Sequence, residues 1–134
     1  MTTPTVVLVS MLLLTPALIS WLWLVIVPYR VSILCPEECW CDVGGYFVGC
    51  FNKLLHNIPS VYLTHVQKLV LNANNITALK NDSFISIGMT ELDILLLERS
   101  RLQTIEVGAF NGLTKLTYLS MRSNGIREIT HGTF

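Results

Sequence analysis

The sequence predicts an α/β-type solenoid. Short parallel strands should form a concave face, the convex side should be irregular or short-helical, and a cysteine cap and a hydrophobic leader helix should precede the coil. Three observations predict it. One apolar pattern is written three times in register, all four cysteines crowd into a single window just before it, and an uncharged apolar run fills residues 5–28.

The pattern is L-x-x-L-x-L-x-x-N-x-I-x-x-L-x-x-x-x-F. It reads Val66, Leu69, Leu71, Asn74, Ile76, Leu79, Phe84, then Leu92, Leu95, Leu97, Ser100, Leu102, Ile105, Phe110, then Leu116, Leu119, Met121, Asn124, Ile126, Ile129, Phe134. The repeats start 26 and then 24 residues apart. Such a period marks a coil in which no unit buries its own apolar face and each is completed by its neighbours. The L-x-L step is a strand alternation, so Leu69/Leu71, Leu95/Leu97 and Leu119/Met121 should point to one buried side. A helix bundle would need a 3.6-residue period instead. At the ninth position the chain leaves the strand. An Asn there both donates and accepts, which suits it to serve backbone groups in a buried turn. Asn74, Ser100 and Asn124 are thus the expected structural ladder, with Ser100 the poorer rung. The phenylalanines at 84, 110 and 134 should fill the convex side, and two extra residues within 85–91 should bulge there.

These residues closely resemble the leucine-rich repeat family. The window CPEECWCDVGGYFVGC, with Cys35, Cys39, Cys41 and Cys50, stands where a cap must cover the open apolar end of the coil. Leu55 and Ile58-Pro59 then read as a degenerate opening coil. Four cysteines allow three pairings, and four thiolates also describe a zinc site. Zinc sites favour paired C-x2-4-C knuckles; the C-x-C step and the secretory context favour disulfides. The arrangement C-x3-C-x-C-x8-C is similar to the amino-terminal cysteine cap of extracellular leucine-rich repeat proteins. That resemblance implies first-to-third and second-to-fourth pairing, Cys35–Cys41 and Cys39–Cys50. The expected organisation is a signal peptide or signal anchor at 1–34, cap and opening coil at 35–65, and repeats at 66–91, 92–115 and 116–134, the last incomplete.

The leader leaves two readings open. Its apolar length would span a bilayer, and no good small-x-small cleavage site closes it, which favours an anchor. Against that, no Lys or Arg precedes it, and Arg30 behind it would place the repeats in the cytosol, where the cap would be reduced. Either way the repeats are expected to face the lumen or the outside, with membrane contact possible through this segment. Two glycosylation acceptors agree, Asn75-Ile76-Thr77 and Asn81-Asp82-Ser83, of which Asn81 on the convex connection is the better placed.

The formal net charge is zero, and no basic run or aromatic-basic stripe is present, so nucleic acid is not an expected partner. His56, His65 and His131 stand at no metal-ligand or catalytic spacing, Gly44-Gly45 suits a turn in the cap, and Glu37-Glu38 is a solvated pair. No cofactor, metal or enzymatic function is expected. What the pattern does offer is a surface. Alternation turns Lys68, Ile94 and Tyr118 outward in one column, Val70, Leu96 and Ser120 in the next, and Asn72, Glu98 and Arg122 in a third. An apolar middle with charged margins is typical of protein contact, and Glu98 and Arg122 are placed to pair. The family resemblance implies a protein ligand or partner receptor. The first expectation is the start of a cell-surface receptor or adhesion protein; the rivals are a secreted structural matrix protein and a Toll-like sensor. Since the third repeat closes on its Phe134 with no carboxy-terminal cysteine cap, the chain is expected to be the amino-terminal part of a longer protein or an incomplete gene model.

Overall fold

The computed structural model describes residues 35–60 and 64–134. The leader at 1–34, with its two readings, lies outside the described residues. Among those described, no helix is long and apolar enough to cross a membrane.

The described residues hold seven short strands: β1 (Trp40–Cys41), β2 (Phe47–Gly49), β3 (Lys68–Val70), β4 (Ala78–Leu79), β5 (Ile94–Leu96), β6 (Thr104–Ile105) and β7 (Tyr118–Ser120). Five form one sheet in the order β1-β2-β3-β5-β7, and β4 and β6 form a small parallel pair on the flank. The register sets Leu69 beside Leu95 and Leu95 beside Leu119. Leu69, Leu71, Leu95 and Leu97 are fully buried, while Leu119 and Met121 in the last coil are half-buried. Phe84, Phe110 and Phe134 stack ring on ring along the convex side, with centroids 6.0 and 5.0 Å apart.

The sheet is wider than the three repeats alone require. β2 pairs in parallel with β3 and puts Val48 beside Leu69, so the cap supplies the strand of a further coil. Val48, Cys50, Lys53 and Leu55 occupy the places of Leu69, Leu71, Asn74 and Ile76. β1 returns antiparallel along its outer side through a turn in which Gly45 has φ +70° and Phe47 N–H bonds the Asp42 carboxylate.

Beyond the strands the ladder continues. Cys50, Leu71 and Leu97 N–H donate to Val70, Leu96 and Ser120 C=O, and Asn52, Ala73 and Arg99 N–H donate to Asn72, Glu98 and Arg122 C=O. The chain then turns. Asn52, Ala73, Arg99 and Ser123 all hold left-handed φ between 53° and 58°, directly before the ladder position. The Asn that follows stitches its own turn to the preceding one. Asn74 donates to Cys50 and Leu71 C=O, and its Oδ1 accepts from Lys53 and Leu55 N–H. Asn124 repeats this one coil later, donating to Leu97 and Met121 C=O and accepting from Ser100 and Leu102 N–H. Ser100 is different. Its hydroxyl donates to Leu71 and Glu98 C=O, but among the described residues it accepts from neither Asn74 nor Ile76 N–H. The loss is of acceptor reach rather than of donors alone. Where Asn is replaced, the next residue also becomes left-handed: Leu54 after Lys53, φ 57°, and Arg101 after Ser100, φ 60°.

The two extra residues of the first repeat form a turn of 3-10 helix, Ile85–Ile87, closed by left-handed Gly88. It lifts Ile85 into solvent and returns Met89 fully buried to the core.

Candidate functional site: the concave sheet face

The residues between the buried leucines face outward. Ile94, Leu96, Val70 and Lys68 are half-buried on adjacent strands. Tyr118 is 49% exposed at one end of this surface. Polar bonds run within the third column and tie it to the second: Asn72 Oδ1 accepts the Glu98 N–H at 2.8 Å, and Glu98 Oε1 accepts the Ser120 hydroxyl. Ser120 is therefore withdrawn from the surface, 4% exposed, and its hydroxyl is spent on Glu98. The expected Glu98–Arg122 pair does not form, because the carboxylate turns to Ser120 and leaves Arg122 in solvent. The ion pair present among the described residues is Lys115–Glu91.

Sequence reasoning missed the other end of the face. In register with Lys68 and Val70 stand Phe47 and Gly49 of the cap, and Trp40 lies opposite Gly49 on β1. Trp40 and Phe47 meet edge to face at 5.3 Å, and Lys68 Nζ sits 5.7 Å from the Phe47 centroid. A Cβ at Gly49 would come within 2.9 Å of the Phe47 ring, so only glycine lets that ring lie across the strand. Trp40 is 64% and Phe51 60% exposed. The signal was in the sequence: V-x-C-x-x-K-x-L at 48–55 is the repeat with Cys for Leu and Lys for Asn. The surface thus runs from Trp40, Phe47 and Phe51 over Val70, Ile94 and Leu96 to Tyr118.

Cys35 is joined to Cys41 and Cys39 to Cys50. Cys50 stands in a leucine's place and is fully buried, so the second bridge anchors the cap directly to the core. Asn75 Nδ2 bonds His56 Nδ1 at 3.0 Å, and its Oδ1 accepts from Arg101 at 3.3 Å. Asn81 is exposed on the convex connection; its backbone N–H bonds Glu106, and its Oδ1 is 3.5 Å from Asn111 Nδ2. His56, His65 and His131 are all exposed, and no three potential metal ligands gather among the described residues.

Stacked parallel strands, an amide rung at the turns and a cross-linked cap define a solenoid repeat protein whose sheet presents a continuous outward face. The leucine rich repeat family model matches residues 90–134. The chain belongs to the leucine-rich repeat family, in the form with an amino-terminal cysteine cap, and such repeats mediate protein–protein contact. Leucine-rich repeat-containing protein 3B of human, mouse and cattle is 29% identical to it over 113 residues, 83% of this chain and 43% of that protein. Rat osteomodulin is 33% identical over 105 residues, 75% of this chain and 24% of osteomodulin. The crystal structure of human trophoblast glycoprotein superimposes with a TM-score of 0.65 at 31% identity, over 69% of this chain and 34% of that one. The chain therefore spans less than half the length of these relatives.

Proposed function

We propose that this chain is a non-enzymatic extracellular protein-binding module, the start of a cell-surface receptor or adhesion protein, that takes a protein ligand or partner receptor on its concave face. The observation that carries this reading is the outward set of aromatic and aliphatic side chains, interspersed with polar ones, from Trp40 and Phe51 to Tyr118. Aromatic anchors with a polar margin are what protein interfaces select. The two disulfides support an oxidising compartment. Glycosylation at Asn81 fits the same reading, because Asn81 is exposed whereas the Asn75 amide is held between His56 and Arg101.

The test is a screen of the multimerised chain against a panel of purified extracellular domains. Leu96→Asp with Tyr118→Asp is expected to weaken any binder found by about 2 kcal/mol or more, roughly 30-fold. Unchanged affinity in a protein that still folds rejects the concave site. Peptide-level mass spectrometry without reduction, on protein from secreting animal cells, tests the compartment: linked cysteines and a glycan on Asn81 are expected, and free thiols with an unmodified Asn81 reject the extracellular reading.

A further inference from the structure

The dipeptide Asn-Gly occurs twice in the chain, at 111–112 and at 124–125. In this dipeptide an asparagine side chain is unusually open to attack by its own backbone, because glycine has no side chain to hold the next nitrogen away from the amide carbon. The fold treats the two copies in opposite ways.

Asn124 is the rung of the third repeat. Its Nδ2 donates to Leu97 and Met121 C=O, and its Oδ1 accepts from Ser100 and Leu102 N–H. The Gly125 N–H donates to Leu102 C=O at 2.8 Å. Amide and attacking nitrogen are therefore both engaged. Asn111 instead lies exposed on the convex connection of the second repeat. Its Nδ2 is 2.9 Å from Asp82 Oδ1 and 3.5 Å from Asn81 Oδ1, in surface contacts that water can replace. Among the described residues its Oδ1 accepts no hydrogen bond and the Gly112 N–H donates none. Packing also demands the glycine. Gly112 has φ +82°, and a Cβ there would come within 2.8 Å of Ile85 Cδ1 and 2.9 Å of Ile85 Cβ. The turn thus keeps the residue that leaves Asn111 open.

We propose that Asn111–Gly112 is a site of spontaneous modification, at which asparagine becomes aspartate and isoaspartate in the folded protein. The Gly112 nitrogen gives its proton to solvent and attacks Asn111 Cγ. The new N–Cγ bond closes a cyclic imide, the Cγ–Nδ2 bond breaks, and Nδ2 takes a proton from solvent and leaves as ammonia. Water then opens the ring. Addition at Cγ breaks the new bond and gives aspartate; addition at the backbone carbonyl carbon breaks the original peptide bond and gives isoaspartate. Nothing is oxidised or reduced. Either product replaces the Nδ2 donor by a carboxylate, so the contact with Asp82 that joins two convex connections is lost and like charges meet there.

The full chain, in mild non-ionic detergent, is held in mildly alkaline buffer at body temperature, beside a sample unfolded in guanidinium with its disulfides reduced. Peptide-level mass spectrometry follows the acid at each site, and isoaspartyl methyltransferase with a labelled methyl donor follows isoaspartate. In the folded chain Asn111 is expected to convert about tenfold or more faster than Asn124, whose bonds must first break. In the unfolded chain the two rates should come together. Asn111→Gln, whose longer side chain closes a ring poorly, should remove most of the methyl label from the folded chain. Equal rates in the folded chain, or an Asn111 that converts only after unfolding, overturns the proposal. So does label that persists in Asn111→Gln, which would put the isoaspartate elsewhere. An Asn124 that stays slow when unfolded would assign the contrast to local sequence and overturn the role given to the fold.

Discussion

Asn74 closes two turns with one amide. It is buried, and its carbonyl oxygen and nitrogen each hold two backbone groups, from Cys50 to Leu71. A buried backbone group left without a partner costs about 1–3 kcal/mol. Asn74→Ala orphans several at once, so a loss of about 3 kcal/mol or more is expected in urea denaturation. Asn75→Ala next door, half-exposed and bonded only to other side chains, is the control and should change stability by about 0.5 kcal/mol or less. Equal effects at the two sites would mean that the rung is not what holds the turn. Asn124→Ser makes a natural comparison, because the molecule already contains that solution at Ser100. The hydroxyl there keeps a bond to the preceding coil, through Leu71 C=O, but takes neither N–H that an Asn rung takes. Asn124→Ser should therefore cost about 1–2 kcal/mol, less than Asn74→Ala, by the same measurement.

At the scale of the strand and turn, legibility followed periodicity. Leu69, Leu95 and Leu119 share one register because each is locked by the alternation on either side of it, and a slip of one residue would turn every leucine to water. The stacked phenylalanines were legible for the same reason. Of the opening coil, Leu55 and Ile58-Pro59 were legible but its strand was not, because Cys50 and Lys53 replaced the two residues that spell the pattern, and only pairing of Val48 with Leu69 makes them equivalent. Trp40, Phe47 and Phe51 were lost to view with it, and so was nearly half of the concave strip. Ser120 shows the opposite limit. Alternation gives the side of the strand but not the side chain's partner, and Glu98 drew the hydroxyl in. The bulge after Phe84 was legible as a length mismatch, while its form as a 3-10 turn returning Met89 to the core was not. Met89 is the side chain that makes that bulge part of the coil. Met89→Ala should cost about 2–5 kcal/mol, whereas Ile85→Ser on the exposed crest should stay within about 1 kcal/mol. Thermal melts of the two variants check this, and a tolerant Met89 would mean that the bulge is packed by something else.

The whole molecule is a one-dimensional stack, so its stability depends on neighbours and on how its first coil is closed. The two bridges do unequal work. Cys39–Cys50 ties the cap to a fully buried site in the core, while Cys35–Cys41 joins two half-buried cysteines across a shorter loop. Loop-closure entropy and core packing both favour the first. Removing Cys39 and Cys50 together as serines should lower stability by about 2–5 kcal/mol and uncover the apolar edge of the first repeat. The Cys35/Cys41 double serine should lower it less, and equal losses would show that the cap acts as one rigid unit. The severest test lies in the middle of the stack. Leu97 is fully buried, and both the coil before and the coil after pack against its row. Leu97→Asp would place a carboxylate there without a partner, at a cost that exceeds the marginal stability of a domain this size. Because no coil buries its own face, the damage cannot be confined to one repeat: Leu71 before it and Met121 after it lose the same wall. The expected outcome in animal cells is retention and degradation, with little secreted material that resists protease. Secreted, protease-resistant Leu97→Asp protein would mean that the side chain has an escape to water, and hence that the register assigned to the central repeat is wrong.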